Sequence, residues 1–291
     1  MARNEEHPSK RALANRIGWA AALVLLLLPR LAVAGDLADV KARGKLVMVC
    51  FANQDDPFVS ANLDALRERG LKLTEMHDPE GFQGLDVELL KGFAKSLGVK
   101  LEIHSLTSGY NELIPALLRR EGDLVANSLT ITPQRQESAN FTHPYMLGWE
   151  VVVTRPDSTI TSAVDLKGKT CTVAPGTSLT DSLKAIAPEA KIVVKPFPLA
   201  TYVAVAEGEA DCAMSENATP VGGTLSPPLP PLKVAFRVRQ FDYGMAVRKG
   251  SDLLAPLNAY LEEAKRSGEL DRLVDRFKAG GFAAPAPPVK P

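Results

Sequence analysis

The segment Asp123-Leu-Val-Ala-Asn-Ser-Leu-Thr-Ile-Thr-Pro-Gln-Arg135 sets three hydroxyls and a guanidinium directly after a buried-strand pattern. Thr132 is a good helix N-cap and Pro133 a good first helical residue, so Arg135 falls in the first turn of a helix. A cation there opposes the helix dipole by roughly 0.3–1 kcal/mol. A bound anion would account for it, because a helix start and an arginine attract the same carboxylate. On periodicity alone a solvated surface arginine fits better. Taken singly, Ser128, Thr130 and Thr132 also read as helix caps, Gly176 as a turn glycine, Tyr110 as a half-buried core edge and Glu216 as a helix-start carboxylate. Other chemistry finds little footing. His77, His104 and His143 lack metal-ligand spacing, and Gly168-Lys169-Thr170 lacks the leading glycine and preceding strand of a phosphate loop. No metal and no cofactor are expected.

The elements that must position these residues alternate along the chain. Strand patterns cover Lys45–Phe51, Lys100–Ile103, Asp123–Ala126, Glu150–Thr154, Thr170–Ala174, Lys191–Phe197, Asp211–Met214, Lys233–Val238 and Tyr243–Val247. Helical patterns cover Asp86–Leu97, Asn111–Arg120, Ser178–Ile186, Leu199–Glu207, Asp252–Ser267 and Glu269–Lys278. Strands alternating with helices of about ten residues imply βαβ units and mostly parallel sheets, an α/β protein throughout. Ser226–Leu232 reads as an extended connection and residues 280–291, rich in Ala and Pro, as a disordered tail.

Residues 1–34 have the order of a secretory signal: Lys10, Arg11 and Arg16, an apolar run from Ile17 to Leu28, then Ala32-Val33-Ala34. Cleavage is expected near Ala34-Gly35; the alternative is an uncleaved anchor, for which twelve apolar residues are short. The whole chain of 291 residues has 34 Lys/Arg and 34 Asp/Glu. Removing five basic and two acidic residues with the leader leaves a small acidic excess. Nucleic acid is therefore not an expected partner. Three cysteines are too few for a disulfide scaffold, and Cys50, Cys171 and Cys212 all sit in strand-like runs. A Cys171–Cys212 bridge requires their strands to be neighbours in an oxidising compartment.

An ordered set of motifs then resembles the amino-acid-type periplasmic solute-binding proteins, solute-binding family 3. The set comprises Gly84-Leu-Asp-Val-Glu-Leu89, Gly98-Val-Lys-Leu-Glu-Ile103, Tyr110-Asn-Glu-Leu-Ile-Pro-Ala-Leu117, Ser128–Arg135 and Phe141-Thr-His-Pro-Tyr145. Asp165-Leu-Lys-Gly-Lys-Thr170, Val173-Ala-Pro-Gly-Thr-Ser178 and Gly208-Glu-Ala-Asp-Cys-Ala-Met-Ser-Glu216 follow in the same order. The resemblance implies the two-lobe periplasmic-binding-protein-like fold, each lobe a mostly parallel sheet flanked by helices, joined by two hinge strands. Lobe one would be 35–153 plus 245–279 and lobe two 154–244. It further implies that Arg135 holds a ligand carboxylate with Ser128 and Thr130, that Gly176, Thr177 and Ser178 supply the second lobe's donors, that Glu216 takes the ligand's ammonium, and that Tyr110 forms a wall. Departures are Glu216 in place of the usual Asp, Asp55 where an aromatic is common, and an insertion over Val59–Glu80. Asp55 and Glu216 against Arg135 would suit a cationic or strongly polar ligand.

The expected function is periplasmic capture of an amino acid or similar small carboxylate by hinge closure, as a monomer serving an ABC-transporter permease and without catalysis. The alternatives are a periplasmic enzyme of the cyclohexadienyl-dehydratase type, or a ligand-sensing partner related to the sensory half of lytic transglycosylases. Against the transglycosylase, the chain ends where its catalytic domain would begin.

Overall fold

The computed structural model describes residues 36–52, 56–70, 72, 76–216 and 230–278. The expected signal peptide, Asp55, most of the Ser226–Leu232 connection and the expected tail lie outside them. In chain order the first part contains α1 (Asp36–Arg43), β1 (Lys45–Cys50), β2 (Ser60–Ala61), α2 (Leu63–Arg69), β3 (Phe82–Gln83), α3 (Leu85–Ser96), β4 (Lys100–Ser105), α4 (Leu113–Leu118), β5 (Leu124–Val125), α5 (Pro133–Ser138) and β6 (Ala139–Phe141). There follow β7 (Met146–Thr154), β8 (Thr170–Val173), α6 (Leu179–Ile186), β9 (Lys191–Val194), α7 (Pro198–Ala206), β10 (Cys212–Glu216), β11 (Lys233–Tyr243), β12 (Ala246–Arg248), α8 (Leu254–Arg266) and α9 (Glu269–Lys278).

Two five-stranded sheets result. The first has the order β4-β1-β5-β12-β6 and the second β11-β7-β10-β8-β9. Within each, the inner pairings β1–β4, β1–β5, β8–β10 and β8–β9 are parallel. The strands at the two crossings of the chain, β7 on entering the second sheet and β11 and β12 on returning, pair antiparallel. The sheets are thus mixed, a parallel half closed by the crossing strands. Helices cover both faces of each, which is why β1 reads Leu-Val-Met-Val-Cys without polar alternation. Separate apolar clusters lie on the two faces of the first sheet, around Met48 and Val49, and of the second, around Val152 and Val153.

The chain passes from the first sheet to the second between β6 and β7, and returns between β11 and β12. Met146 therefore already belongs to the second sheet, ahead of the expected boundary at Val153. The reason is that β7 and β11 form one long antiparallel ribbon, in register from Lys233↔Thr154 to Tyr243↔Met146 with two irregularities on the way. Its near end, Met146, Phe241 and Tyr243, packs into the first sheet's core, while Val152 and Phe236 pack into the second's. The polar run Arg239-Gln240-Phe241-Asp242 masks this continuity in the sequence, where two shorter strands, Lys233–Val238 and Tyr243–Val247, were expected. The short β6 and the helix α1 also escape the apolar pattern.

The insertion packs onto the first sheet: β2 pairs with β3, α2 is capped by Asn62 and closed by Gly70, and Phe58, Leu66, Met76 and Phe82 join the core. Cys171 and Cys212 face each other on the parallel neighbours β8 and β10 and are joined as a disulfide, with Cα atoms 4.6 Å apart. Cys50 is free and buried. Among the described residues no helix is long and apolar enough to cross a membrane.

The disulfide closes a loop across a sequence separation of 41. By chain-entropy arithmetic, Cys171→Ala/Cys212→Ala is expected to lower unfolding stability by about 3–4 kcal/mol. Urea titration of the oxidised wild type against the double variant measures it; equal midpoints would show that the bridge contributes nothing.

Candidate functional site

The site begins with the ends of strands. Beyond β5 the chain runs through Asn127 and Ser128 and then lies against the ribbon: Gly244 N–H donates to the Leu129 carbonyl and Ile131 N–H to the Asp242 carbonyl. Thr132 caps α5 as the sequence indicates, accepting the Arg135 N–H at 3.2 Å. These bonds fix where the Arg135 side chain starts. Its guanidinium turns inward, donating from Nη1 to the Thr130 carbonyl at 2.8 Å and from Nη2 to the Gly176 carbonyl, on the second sheet's side, at 3.1 Å. Among the described residues these bonds engage two of its five N–H groups. Burial holds this guanidinium below its ordinary pKa, opposed by the nearby Glu216 carboxylate.

Arg135 lines a cavity of about 350 Å³ between the two sheets, together with Tyr110, Ser128, Thr130, Thr177, Ser178 and Glu216. Seven of the nine residues expected from the sequence thus surround one space. Gly176 lines a second cavity of about 650 Å³ that shares Arg135, Thr177 and Ser178 with the first. Asp55 lies outside the described residues. Its neighbour Asp56 lines the cavity instead, with Pro57 and Phe58.

This Asp56 loop is held from below. Gly84 precedes α3 at φ +130°, and the first helical N–H groups reach back: Leu85 N–H to the Pro57 carbonyl at 2.9 Å and Asp86 N–H to the Phe58 carbonyl at 3.1 Å. A Cβ on residue 84 would stand 2.2 Å from the Phe58 oxygen, so only glycine allows the approach. Asp86 then buries its carboxylate completely, accepting Ser128 N–H at 2.9 Å and Tyr145 O–H at 2.7 Å. The Ser128 bond holds that residue at φ +45°, a left-handed conformation unusual for serine and typical of sites where the fold stores strain. Burial pushes Asp86 up to about 7, against the pull of those two donors.

Opposite Arg135, Glu216 ends β10 and accepts Tyr243 O–H at 2.6 Å. Its carboxyl is also pushed up to about 7 by burial; Asp56 and Glu150 add to the rise, while Tyr243 and Arg135 resist it. The Thr177 hydroxyl donates to the Ala174 carbonyl at 2.9 Å and Ser178 to Glu150 at 3.3 Å. Both hydroxyl protons are therefore engaged by the protein's own acceptors.

Sequence reasoning missed several lining residues: Asp56, Phe58, Asn127, Phe197, Tyr202 and Met214. Asn127 had the strongest signal, a polar residue between a buried strand and Ser128. It is 1% exposed, its carbonyl oxygen takes the Phe51 N–H, and its Nδ2 meets no acceptor among the described residues. The histidines stay apart from the site: His77 meets the Ile103 carbonyl, His104 faces Glu121 and His143 faces Glu262. Among the described residues no group of three His, Cys, Asp or Glu could hold a metal ion.

Residues 70–280 match the bacterial extracellular solute-binding proteins, family 3. The arginine-binding extracellular protein ArtP of Bacillus subtilis is 28% identical over 214 residues, covering 71% of this chain and 82% of that protein. The membrane-bound lytic murein transglycosylase F of Desulfosudis oleivorans is 27% identical over 67% of this chain, but only 44% of its own length is matched. Among solved structures, the P235GK mutant of ArgBP from T. maritima superposes with a TM-score of 0.69 at 29% identity, covering 84% of this chain and 99% of that one. The chain belongs to family 3 of the bacterial extracellular solute-binding proteins, and its fold is the type II periplasmic-binding fold.

Two outcomes follow from the geometry. A Cβ on Gly176, at φ +74°, would stand 2.4 Å from the Asn111 backbone nitrogen across the cleft. Gly176→Ala is expected to lower thermal stability modestly, through the strained φ, and to weaken ligand affinity at least tenfold, because the methyl crowds the Asn111 backbone across the cleft; unaltered affinity by calorimetry would contradict this. Burial raises the Asp86 and Glu216 carboxyls to about 7 in the folded chain, well above the ordinary carboxylate range of about 4. A raised carboxyl means the folded state binds more protons, so stability contributed by these groups is present below about pH 4 and lost as pH rises to about 7. Unfolding of ligand-free protein should show this decline, and Glu216→Gln should make it shallower; a slope identical to wild type would remove Glu216 as a source.

Proposed function

We propose that the cavity binds a single α-amino acid, with Arg135 gripping its carboxylate, Glu216 and Asp56 facing its ammonium, and the two sheets with their helices closing over it as lobes hinged on the β7–β11 ribbon. The observation that carries this reading is the Arg135 guanidinium, turned inward with only two of its five N–H groups engaged among the described residues and a carboxylate nearby. Ser128, Thr130 and Tyr110 complete the first lobe's wall, and the backbone of Gly176, Thr177 and Ser178 completes the second lobe's. Phe58, Tyr110, Phe197 and Tyr202 offer apolar faces for the ligand's methylenes.

Charge favours a cationic side chain. Asp56 and Glu216 against Arg135 leave one negative charge over, which a zwitterion does not balance and a ligand with an extra cation does. The names of ArtP and ArgBP point the same way. Closure is driven by differential affinity: the ligand bonds both lobes only when they approach. The family is extracellular or periplasmic, and we read residues 1–34 as its cleaved export signal and a membrane permease as the recipient of the bound solute. We read the protein as a monomer that binds without catalysis. Glu216 near 7 in a dry cleft is also suited to general acid chemistry. A dehydratase would turn over prephenate or arogenate, and none is expected.

Truncating one partner of a charge-assisted, partly buried pair costs about 2–5 kcal/mol. Arg135→Ala is therefore expected to weaken L-arginine binding roughly thirty-fold to a few thousand-fold in isothermal calorimetry. Affinity of the wild type should fall by up to about tenfold per pH unit below 7, as Glu216 takes up a proton. A flat profile between pH 5 and 8 would remove Glu216 from the ammonium site, and an unchanged Arg135→Ala affinity would remove the guanidinium from the carboxylate site.

A further inference from the structure

One row of charges crosses three strands of the second sheet. Arg239 of β11 is in register with Glu150 of β7, and Glu150 with Glu216 of β10. Glu150 is fully buried. Arg239 holds both its oxygens, Nε to Oε2 at 2.9 Å and Nη2 to Oε1 at 2.6 Å. The same Nε reaches Ser182 Oγ at 3.0 Å, and Ser178 Oγ donates to Glu150 Oε1 at 3.3 Å. Ser178 and Ser182 are one helical turn apart at the start of α6, joined by the Ser182 N–H to Ser178 carbonyl bond. Ser178 stands at the N-cap of α6, yet its hydroxyl makes no cap bond to that helix. Glu150 has taken it.

Glu150 is buried but Arg239 is half exposed, and an ion pair of that kind adds little to the stability of a core. Apolar side chains of similar volume usually do as well or better, while a buried carboxylate without its partner is costly. The fold therefore gains little from the pair as such. Its placement is what sets it apart: the two side chains it reaches beyond itself in the direction of the cavity, Ser178 through a hydrogen bond and Glu216 through the adjacent strand, both line that cavity. Both strands that carry it, β7 and β11, form the ribbon linking the two sheets.

We infer that Glu150, neutralised by Arg239, is a positioning residue for ligand binding: it fixes Ser178 at the start of α6 and sets the charge that Glu216 presents to the ligand. This rests on the reading of Glu216 as the acceptor of an ammonium group. The groups facing Glu216 are Asp56 and Glu150, which favour its protonated form, and Arg135 and the Tyr243 hydroxyl, which favour the ionised one. The Tyr145 phenol feels its charge in return. Of these, only Glu150 is set off from the cavity behind Ser178 and tied to a cation of its own, so the pair can be altered without removing a group that would touch the ligand.

The two members of the pair must then act in opposite directions. Glu150→Gln removes a negative neighbour, and Glu216 ionises more readily. Arg239→Gln leaves Glu150 uncompensated, and Glu216 ionises less readily. Calorimetric titration of each full-length variant with L-arginine from pH 5 to 8 reads this as the midpoint of the affinity profile. Relative to wild type, the midpoint is expected to move to lower pH in Glu150→Gln and to higher pH in Arg239→Gln. At pH 8, Glu150→Gln should bind about three- to tenfold more weakly, the share of a loosened Ser178. Ser178→Ala should then weaken Glu150→Gln less than it weakens wild type. Should Arg239→Gln not fold, Glu150→Gln against Ser178→Ala carries the test, because only the former should move the midpoint. Damage to packing alone would weaken binding without opposite shifts. Midpoints that move together, or a Glu150→Gln midpoint that stays in place, overturn the role of Glu150 and leave the amino-acid site standing. A wild type that binds none of L-arginine, L-lysine, L-histidine and L-glutamine overturns the site reading itself, and this inference with it.

Discussion

A guanidinium drawn out of bulk water is the constraint around which the rest is arranged. Arg135 sits in a helix of only six residues, whose first and last turns overlap at its position, and in a cleft, where burial disfavours its charge. The Thr130 and Gly176 carbonyls and the Glu216 carboxylate offset part of that cost. The strand-end bonds to the ribbon, the Thr132 cap and the Asp86 grip on Ser128 all serve to keep the side chain and its neighbours from relaxing into solvent. An arrangement that holds a cation at a cost is poised to bind an anion, since the anion removes the cost.

The same reasoning explains why buried carboxyls gather nearby. Asp86, Glu150 and Glu216 are each buried or partly buried, and each has its own donors: a backbone N–H with a tyrosine, an arginine with a serine, and a tyrosine. Satisfied in this way they make the walls rigid rather than weak. Their sum also gives the cavity an acidic bias on the side away from Arg135. Polarity is thus divided across the cleft, cation on one lip and carboxylates on the other, which is the division an amino acid carries between its own two ends.

Much of this was legible in the sequence, because strand and helix periodicities are local. The α3 stripe, the β1 run and the Thr132-Pro133 helix start are each fixed by a few adjacent residues. The long β11 was not legible, since Arg239, Gln240 and Asp242 look like a loop until β7 supplies their partners. The changeover at Met146 was hidden for the same reason. In the site, Arg135 stood out by breaking a local rule, and Ser128, Thr130, Thr177 and Ser178 by their place in an ordered set of motifs. Asp56 and Tyr202 had no such mark: what makes them cavity residues is the Gly84–Phe58 approach and the packing of α7, both long-range facts. The Gly176–Ser178 loop reads as a source of donors only through the resemblance, and the sequence does not show that the Thr177 hydroxyl meets the Ala174 carbonyl and the Ser178 hydroxyl meets Glu150.

The claim on which all of this turns is that the guanidinium meets a carboxylate. Isothermal calorimetry comparing L-arginine with L-argininamide on the unaltered protein tests it most directly, since the two ligands differ only where the anion is lost. The amide is expected to bind at least a hundredfold more weakly, in keeping with a charge-assisted pair of about 3 kcal/mol or more. Equal affinities would mean that the anion is not what Arg135 holds, and the account would fail at its centre.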